Sequence, residues 1–190
     1  MDEIIKAFDK KPVSFIRDRN YVINSICDHE PETSYKLMED IVENLSRLTD
    51  FSKADKIVGE EDRGGYIAAL LAYTNKKSLG MVKWYQVRSG KNIKVKFKNA
   101  YTEGEMYLYG VNKSDRVIIV EDMVDSGGTI ISMIKLLKKA GAKIIDIIAI
   151  AEKEEYEGIK RIKEETGIEV KILLRFSSCG NCSKVTWINK

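Results

Sequence analysis

Residues 117–129, Val-Ile-Ile-Val-Glu-Asp-Met-Val-Asp-Ser-Gly-Gly-Thr, constrain this chain more than any other stretch. Val117, Ile118, Ile119 and Val120 are four β-branched aliphatics in a row with no polar face. They predict a strand covered on both sides, as in the middle of a parallel sheet. Ile130, Met133, Ile134 and Leu137 then recur at helical spacing and predict an amphipathic helix over 129–140. Between the two, Ser126, Gly127, Gly128 and Thr129 bring backbone N–H groups and hydroxyls to a helix N-terminus, a ready anion site. Glu121 and Asp122 stand at the strand's end, and neighbouring carboxylates repel unless something cationic or hydroxylated binds them. Carboxylates accept hydrogen bonds from hydroxyls, so an acidic pair beside an anion cradle suits a ligand with both a diol and a phosphate. A purely structural strand–turn–helix is the alternative, and the acidic pair weighs against it.

The arrangement occurs once more upstream. Lys56, Ile57, Val58 and Gly59 predict a short strand, Glu60-Glu61-Asp62-Arg63-Gly64-Gly65 a turn, and residues 66–73 a helix. Paired glycines there allow a close approach to a ligand's oxygens, and Arg63 adds a charged donor suited to phosphate. A short opening helix ended by Pro12, a strand at 21–26 and a helix to about residue 48 precede it. Strands at 81–85, 144–151 and 170–176 and a charged helix at 155–166 follow. Strands alternating with helices imply an α/β protein with a parallel sheet, in which ligands bind at the carboxyl ends of the strands. Both glycine loops sit at such ends and converge on one crevice.

Residues 86–104 are polar and basic, with Arg88, Lys91, Lys94, Lys96 and Lys98. Ile93, Val95 and Phe97 alternate with lysines, which predicts a hairpin. The stretch reads either as a solvated edge or as a lid closing over a reacting centre.

Bulk properties exclude several classes. A chain of 190 residues is expected to form one domain with a substantial core. Its 32 basic and 29 acidic side chains are interspersed, which gives no nucleic-acid surface. No apolar run approaches membrane-spanning length, and Met1-Asp2-Glu3 does not begin a signal peptide. With three cysteines and no export signal, a cytoplasmic location is expected.

The hydrophobic run, acidic pair and Asp-Ser-Gly-Gly-Thr ending resemble the signature of the type I phosphoribosyltransferases. The resemblance spans roughly residues 56–176. It implies a single-domain, three-layer parallel sheet (core about 33–176) with a small hood from residues 1–32 and 177–190. It also implies Mg²⁺ and the substrates phosphoribosyl pyrophosphate and a purine base, without nucleic acid or membrane, in a homodimer. Arg63, Gly64 and Gly65 match the pyrophosphate loop, in which a strained non-proline peptide is expected around Glu61, Asp62 and Arg63. Lys83 or Arg88 matches a further pyrophosphate contact. Ser126, Gly127, Gly128 and Thr129 match the 5′-phosphate cradle. Glu121 and Asp122 match the groups that hold the ribose hydroxyls and, through them or water, the metal. Asp125 matches the acceptor or relay of the purine's proton, and aspartate here accompanies 6-oxopurine substrates.

The Arg63-Gly64-Gly65 stretch is similar to xanthine–guanine enzymes, and residues 104–110 resemble the archaeal purine enzymes. Lys153 matches a lysine that donates to the purine's exocyclic oxygen, with a solvated lysine as the alternative. Trp187 resembles a base-stacking tryptophan, or it packs the tail on the core. The function implied is transfer of a phosphoribosyl group to hypoxanthine, guanine or xanthine. An adenine or orotate enzyme and a non-catalytic sensor of the same metabolite are the alternatives. Separately, Cys27, His29, Cys179 and Cys182 include every cysteine and the only histidine. They make a candidate Cys₃His zinc site, with a disulfide or unpaired thiols as the alternatives.

Overall fold

The structure is a computed structural model that describes residues 1–16, 19–87, 92–98 and 103–189. Helix α1 (Asp2–Phe8) leads into a hairpin of β1 (Val13–Ile16) and β2 (Arg19–Val22), which forms its own two-stranded antiparallel sheet. Helix α2 (Tyr35–Leu48) follows, its N-cap Ser34 accepting the Leu37 N–H. Its Leu37, Ile41 and Leu45 recur every four residues and are all buried. Then come β3 (Lys56–Glu60), α3 (Gly64–Thr74), β4 (Ser78–Lys83), β5 (Ile93–Lys98), β6 (Glu103–Tyr109) and β7 (Arg116–Val124). The chain finishes with α4 (Gly128–Ala140), β8 (Lys143–Lys153), α5 (Gly158–Thr166), β9 (Lys171–Cys179) and β10 (Cys182–Ile188).

Eight strands form the main sheet in the order β10-β9-β8-β7-β3-β4-β6-β5. From β9 across to β4 the neighbours are parallel, whereas β6, β5 and β10 run antiparallel at the edges. Alternation along β7 shows why its aliphatic run needed two covers. Ile118 and Val120 pack with α1, α2 and α3, while Val117 and Ile119 pack with α4 and α5. Helices on both faces of a mostly parallel sheet give the three-layer α/β architecture.

Successive connections run outward from the centre in opposite directions, β3 to β4 one way and β7 to β8 to β9 the other. β3 and β7 are nevertheless neighbours. Their carboxyl ends therefore border the switch point at which an open α/β sheet splits to admit a ligand.

Two local readings change. Residues 170–176 do not close the sheet, because the tail turns back as β10 and pairs antiparallel with β9. The tail also ties the hood hairpin down: the Val13 N–H donates to the Asn181 carbonyl and the Ser183 hydroxyl to the Phe8 carbonyl. The predicted helix at 155–166 begins only at Gly158, because Glu157 takes a left-handed conformation (φ 48°) after a single 3-10 turn over Glu154–Tyr156. The predicted hairpin forms from β5 and β6. Phe97 is buried there against the Trp84 ring at 4.2 Å, with the rings edge to face. Among the described residues no helix is long and apolar enough to cross a membrane.

Candidate active site

A crevice of about 680 Å³ opens at the carboxyl ends of β3 and β7. Its floor is the loop after β7, from Asp125 to Thr129, and one wall is the loop after β3, with Asp62 and Arg63. Tyr21 and Ile16 of the hood hairpin roof it. Gly127 takes φ 77° as the N-cap of α4, which turns the chain sharply from strand into helix. A side chain there would meet the Gly158 carbonyl oxygen at 2.7 Å. The crevice thus combines a helix N-terminus, free backbone amides and the two hydroxyls of Ser126 and Thr129 on one floor.

The acidic pair lies within β7 and is buried: Glu121 is 3 % exposed and Asp122 4 %. Glu121 Oε1 accepts the Asp122 N–H at 3.2 Å. Glu121 Oε2 and Asp122 Oδ2 have no hydrogen-bond partner. Burial pushes the Glu121 carboxyl well above the ordinary carboxylate range, and the Asp122 charge pushes it further. Unsatisfied buried carboxylate oxygens are costly in a resting protein and mark a place where a donor or cation belongs.

A third acid completes the group. Glu60, at the end of β3, is 4 % exposed and accepts the Asp62 N–H at 2.9 Å and the Trp84 indole N–H. Burial, with the charges of Asp62 and Asp122, pushes its carboxyl up to about 7. Sequence reading passed over Glu60, although it stands beside the conspicuous Glu61-Asp62 pair.

Arg63 lines the crevice, and its Nη2 donates to the Tyr21 hydroxyl at 2.6 Å and lies 3.5 Å from Asp28 Oδ1. Gly64 and Gly65 are buried behind it. A Cβ on Gly64 would stand 2.6 Å from Glu121 Oε1, and one on Gly65 would stand 2.8 Å from the Glu60 carbonyl oxygen. Gly64 thus lets the loop after β3 lie directly against β7, and Gly65 lets it fold back on the end of β3. The strained peptide expected in this loop is not found: among the described residues the only cis bond is Glu30–Pro31. Lys83 is bonded to Glu61 and sits 3.1 Å from the Tyr85 hydroxyl, beside the Arg63 loop. Arg88 and Lys91 lie outside the described residues.

At the other end, Asp125 is met by Arg19 of β2, whose Nη1 lies 3.4 Å from Oδ1. The Arg19 guanidinium sits 4.3 Å from the centre of the Tyr156 ring, and Lys153 Nζ lies 5.0 Å from the same ring. Lys153 is not a solvated lysine. It is 1 % exposed at the end of β8, donates to the Asn20 carbonyl, and its pKa is lowered by burial. Arg19 and Tyr156 carry no sequence signal of their own, because only the fold brings a hood strand to a turn more than 130 residues away.

Two other candidates are not brought to this crevice. Trp187 stands on edge strand β10, three strands from β7, and its ring lies 5.1 Å from the Arg175 guanidinium carbon. Pairing of β10 with β9 places it at the sheet edge, outside the lining of this crevice. The zinc site is also corrected. Cys27 is buried next to Asp122 and Arg63, whereas Cys179 and Cys182 are exposed at the turn joining β9 and β10. His29 faces Thr33. Among the described residues no three histidine, cysteine or acidic side chains assemble as metal ligands.

Comparison with known proteins agrees with this geometry. Residues 29–174 match the model of the phosphoribosyl transferase domain. A protein of Methanothermococcus okinawensis named hypoxanthine/guanine phosphoribosyltransferase is 38 % identical over 82 % of this chain and 84 % of its own. Its namesake in Methanocaldococcus jannaschii is 35 % identical over 92 % of this chain and 93 % of its own. Among solved structures, adenine phosphoribosyltransferase of Thermoanaerobacter pseudethanolicus superposes with a TM-score of 0.76 at 22 % identity, covering 92 % of this chain and 99 % of that one. That likeness is one of fold. The matched domain runs through both glycine loops and the acidic strand between them, and with it this chain belongs to the phosphoribosyltransferase family.

Proposed function

We propose that this phosphoribosyltransferase transfers the 5-phosphoribosyl group from phosphoribosyl pyrophosphate to a 6-oxopurine, hypoxanthine, guanine or xanthine, and releases pyrophosphate. One observation carries the reading: two buried carboxylate oxygens, Glu121 Oε2 and Asp122 Oδ2, stand unpartnered beside a glycine bend that opens a helix. A sugar with free hydroxyls and a phosphate supplies donors to the first and charge to the second.

Each residue's part follows from its chemistry. Ser126, Gly127, Gly128 and Thr129 hold the 5′-phosphate through amides and hydroxyls. Glu121 and Asp122 accept from the ribose hydroxyls and so orient C1. Arg63, backed by Gly64 and Gly65 and flanked by Lys83, binds the pyrophosphate and takes up its charge as the C1–O bond breaks. The attacking purine nitrogen gives up its proton to the Asp125 carboxylate. Lys153, a donor only, favours a carbonyl over an amino group on the base. The unpartnered oxygens of Glu121 and Asp122 also fit Mg²⁺, held through sugar hydroxyls or water. When bound, the ion adds positive charge beside the departing pyrophosphate.

The choice of 6-oxopurine is supported by the names of the archaeal relatives. The adenine enzymes are alike at fold level only. The protein is to be incubated with phosphoribosyl pyrophosphate, Mg²⁺ and each base in turn. Pyrophosphate release with guanine or hypoxanthine is expected. Turnover of adenine alone would replace the base assignment, and tight binding of the sugar phosphate without turnover of any base would make the protein a sensor.

A further inference from the structure

Arg63 answers to three acids, Asp122, Asp28 and Asp62. Burial works against its charge, and of the groups that favour that charge Asp122 contributes most. Yet its ion pairs are with Asp28, at 3.5 Å, and Asp62, at 3.9 Å. Among the described residues the guanidinium makes its ion pairs with the hood and its own loop, and none with Asp122.

The hydroxyl of Tyr21 is placed to keep it on the hood side. It donates its proton to Asp28 Oδ1, which turns an oxygen lone pair toward Arg63 Nη2, 2.6 Å away. Asp28 is itself fixed, because its Oδ2 accepts the Asn24 N–H at 3.1 Å. The Arg63 guanidinium carbon also lies 5.5 Å from the centre of the Tyr21 ring. The relay therefore runs from a turn after β2, through a tyrosine on β2, to the arginine of the loop after β3. Tyr21 and Arg63 both line the crevice.

We propose that Tyr21, its hydroxyl oriented by Asp28, is a positioning residue for Arg63. It holds the guanidinium off Asp122, so that the acidic pair stays open to the sugar and the arginine stays open to pyrophosphate. This rests on the reading of Arg63 as the pyrophosphate-binding cation. Its physical basis is the unsatisfied Asp122 Oδ2. A guanidinium released from Tyr21 would be free to swing to that buried oxygen and fill the ribose site. The hydroxyl, with the Asp28 carboxylate behind it, gives the arginine partners on the hood side in place of that pairing. The consequence is weaker binding of the sugar phosphate and of pyrophosphate, not a slower chemical step.

The test uses the full chain and two readouts: steady-state rates over phosphoribosyl pyrophosphate at saturating hypoxanthine, and calorimetric binding of inorganic pyrophosphate with Mg²⁺. Tyr21→Phe should raise both KM and the pyrophosphate Kd about tenfold, the loss of one charge-assisted hydrogen bond, with kcat within about a factor of two. Asp28→Asn, which removes both the charged acceptor of the Tyr21 proton and the carboxylate charge 3.5 Å from Arg63, should move both constants in the same direction. In an Arg63→Ala background, Tyr21→Phe should add nothing. An unchanged pyrophosphate Kd in Tyr21→Phe, or the same factor in both backgrounds, overturns the proposal even if the melting temperature falls. If Arg63→Ala itself leaves pyrophosphate binding intact, the assignment of Arg63 fails and takes the proposal with it. If Arg63→Ala weakens binding while Tyr21→Phe and Asp28→Asn do not, only the role of Tyr21 is lost.

Discussion

Arg19 and Asp125 face each other, Nη1 to Oδ1 at 3.4 Å, one on the hood hairpin and the other just after β7. Both are largely covered, with 28 % and 11 % of their side chains exposed. The arginine lies over the Tyr156 ring that Lys153 also faces, so the surroundings of Asp125 are assembled from three distant segments. Removing Arg19 leaves Asp125 without this cation and Tyr156 without its cover. Arg19→Ala should raise KM for the base by roughly 3- to 10-fold, the scale of a partly buried ion pair. KM for the sugar phosphate should stay near its original value. Steady-state titration of each substrate separates the two, and an effect confined to the sugar phosphate would place Arg19 at the wrong end.

In the proposed function Asp125 takes the purine's proton. Asp125→Ala should lower kcat by about 10²-fold or more. Binding of phosphoribosyl pyrophosphate, followed by calorimetry, should survive. A variant with an unchanged rate would remove the assignment.

Glu60 provides a pH test. Its carboxyl rises from the ordinary 4.5 to about 7 in the folded protein, chiefly through burial. Between those values the native state keeps a proton that the unfolded chain has released, so stability falls as pH rises through the window and the cost is complete above it. Glu60→Gln keeps an acceptor for the Trp84 indole and cannot ionise. It should remove on the order of 3 kcal/mol of that decline. Denaturant unfolding at the two ends of the window provides the measurement. Parallel pH slopes in the two proteins would show that Glu60 titrates normally.

Gly64 is where the loop after β3 meets β7. A methyl group there would stand 2.6 Å from Glu121 Oε1 and 3.0 Å from the Val120 carbonyl oxygen. Gly64→Ala should destabilise the protein by about 1–3 kcal/mol, the range for overpacking. It should also displace Glu121 and depress turnover more than its stability loss explains. A fully active, equally stable variant would mean that the loop does not pack as described.

Trp187 offers a negative control. Its place on β10 beside Arg175 predicts that Trp187→Ala leaves KM for every base within roughly a factor of two, as for a surface substitution. A large rise in base KM would return it to the binding site.

Much of this was legible without coordinates because it is written locally. The unbroken aliphatic run of β7, the four-residue spacing of Leu37, Ile41 and Leu45, and the glycine pairs at 64–65 and 127–128 each act within a few residues of themselves. The candidates at 63–65 and 121–129 came from such patterns. Those drawn from the ends of the chain fared otherwise. Trp187 looked like a ligand contact until the pairing of β10 with β9 put it at the sheet edge, and the cysteines looked like a metal set until the fold separated Cys27 from Cys179 and Cys182.

From the sequence alone came the covered central strand, the two anion-ready bends and the acidic pair, because periodicity, β-branching and missing side chains dictate backbone conformation over short range. Tertiary structure decided the rest. It set β3 beside β7, sank Lys153 under the hood, drew Tyr21 onto Arg63 and Arg19 onto Asp125, and left two carboxylate oxygens without donors. Each of these depends on which distant surfaces bury one another, and burial is a property of the assembled layers rather than of any one stretch of chain.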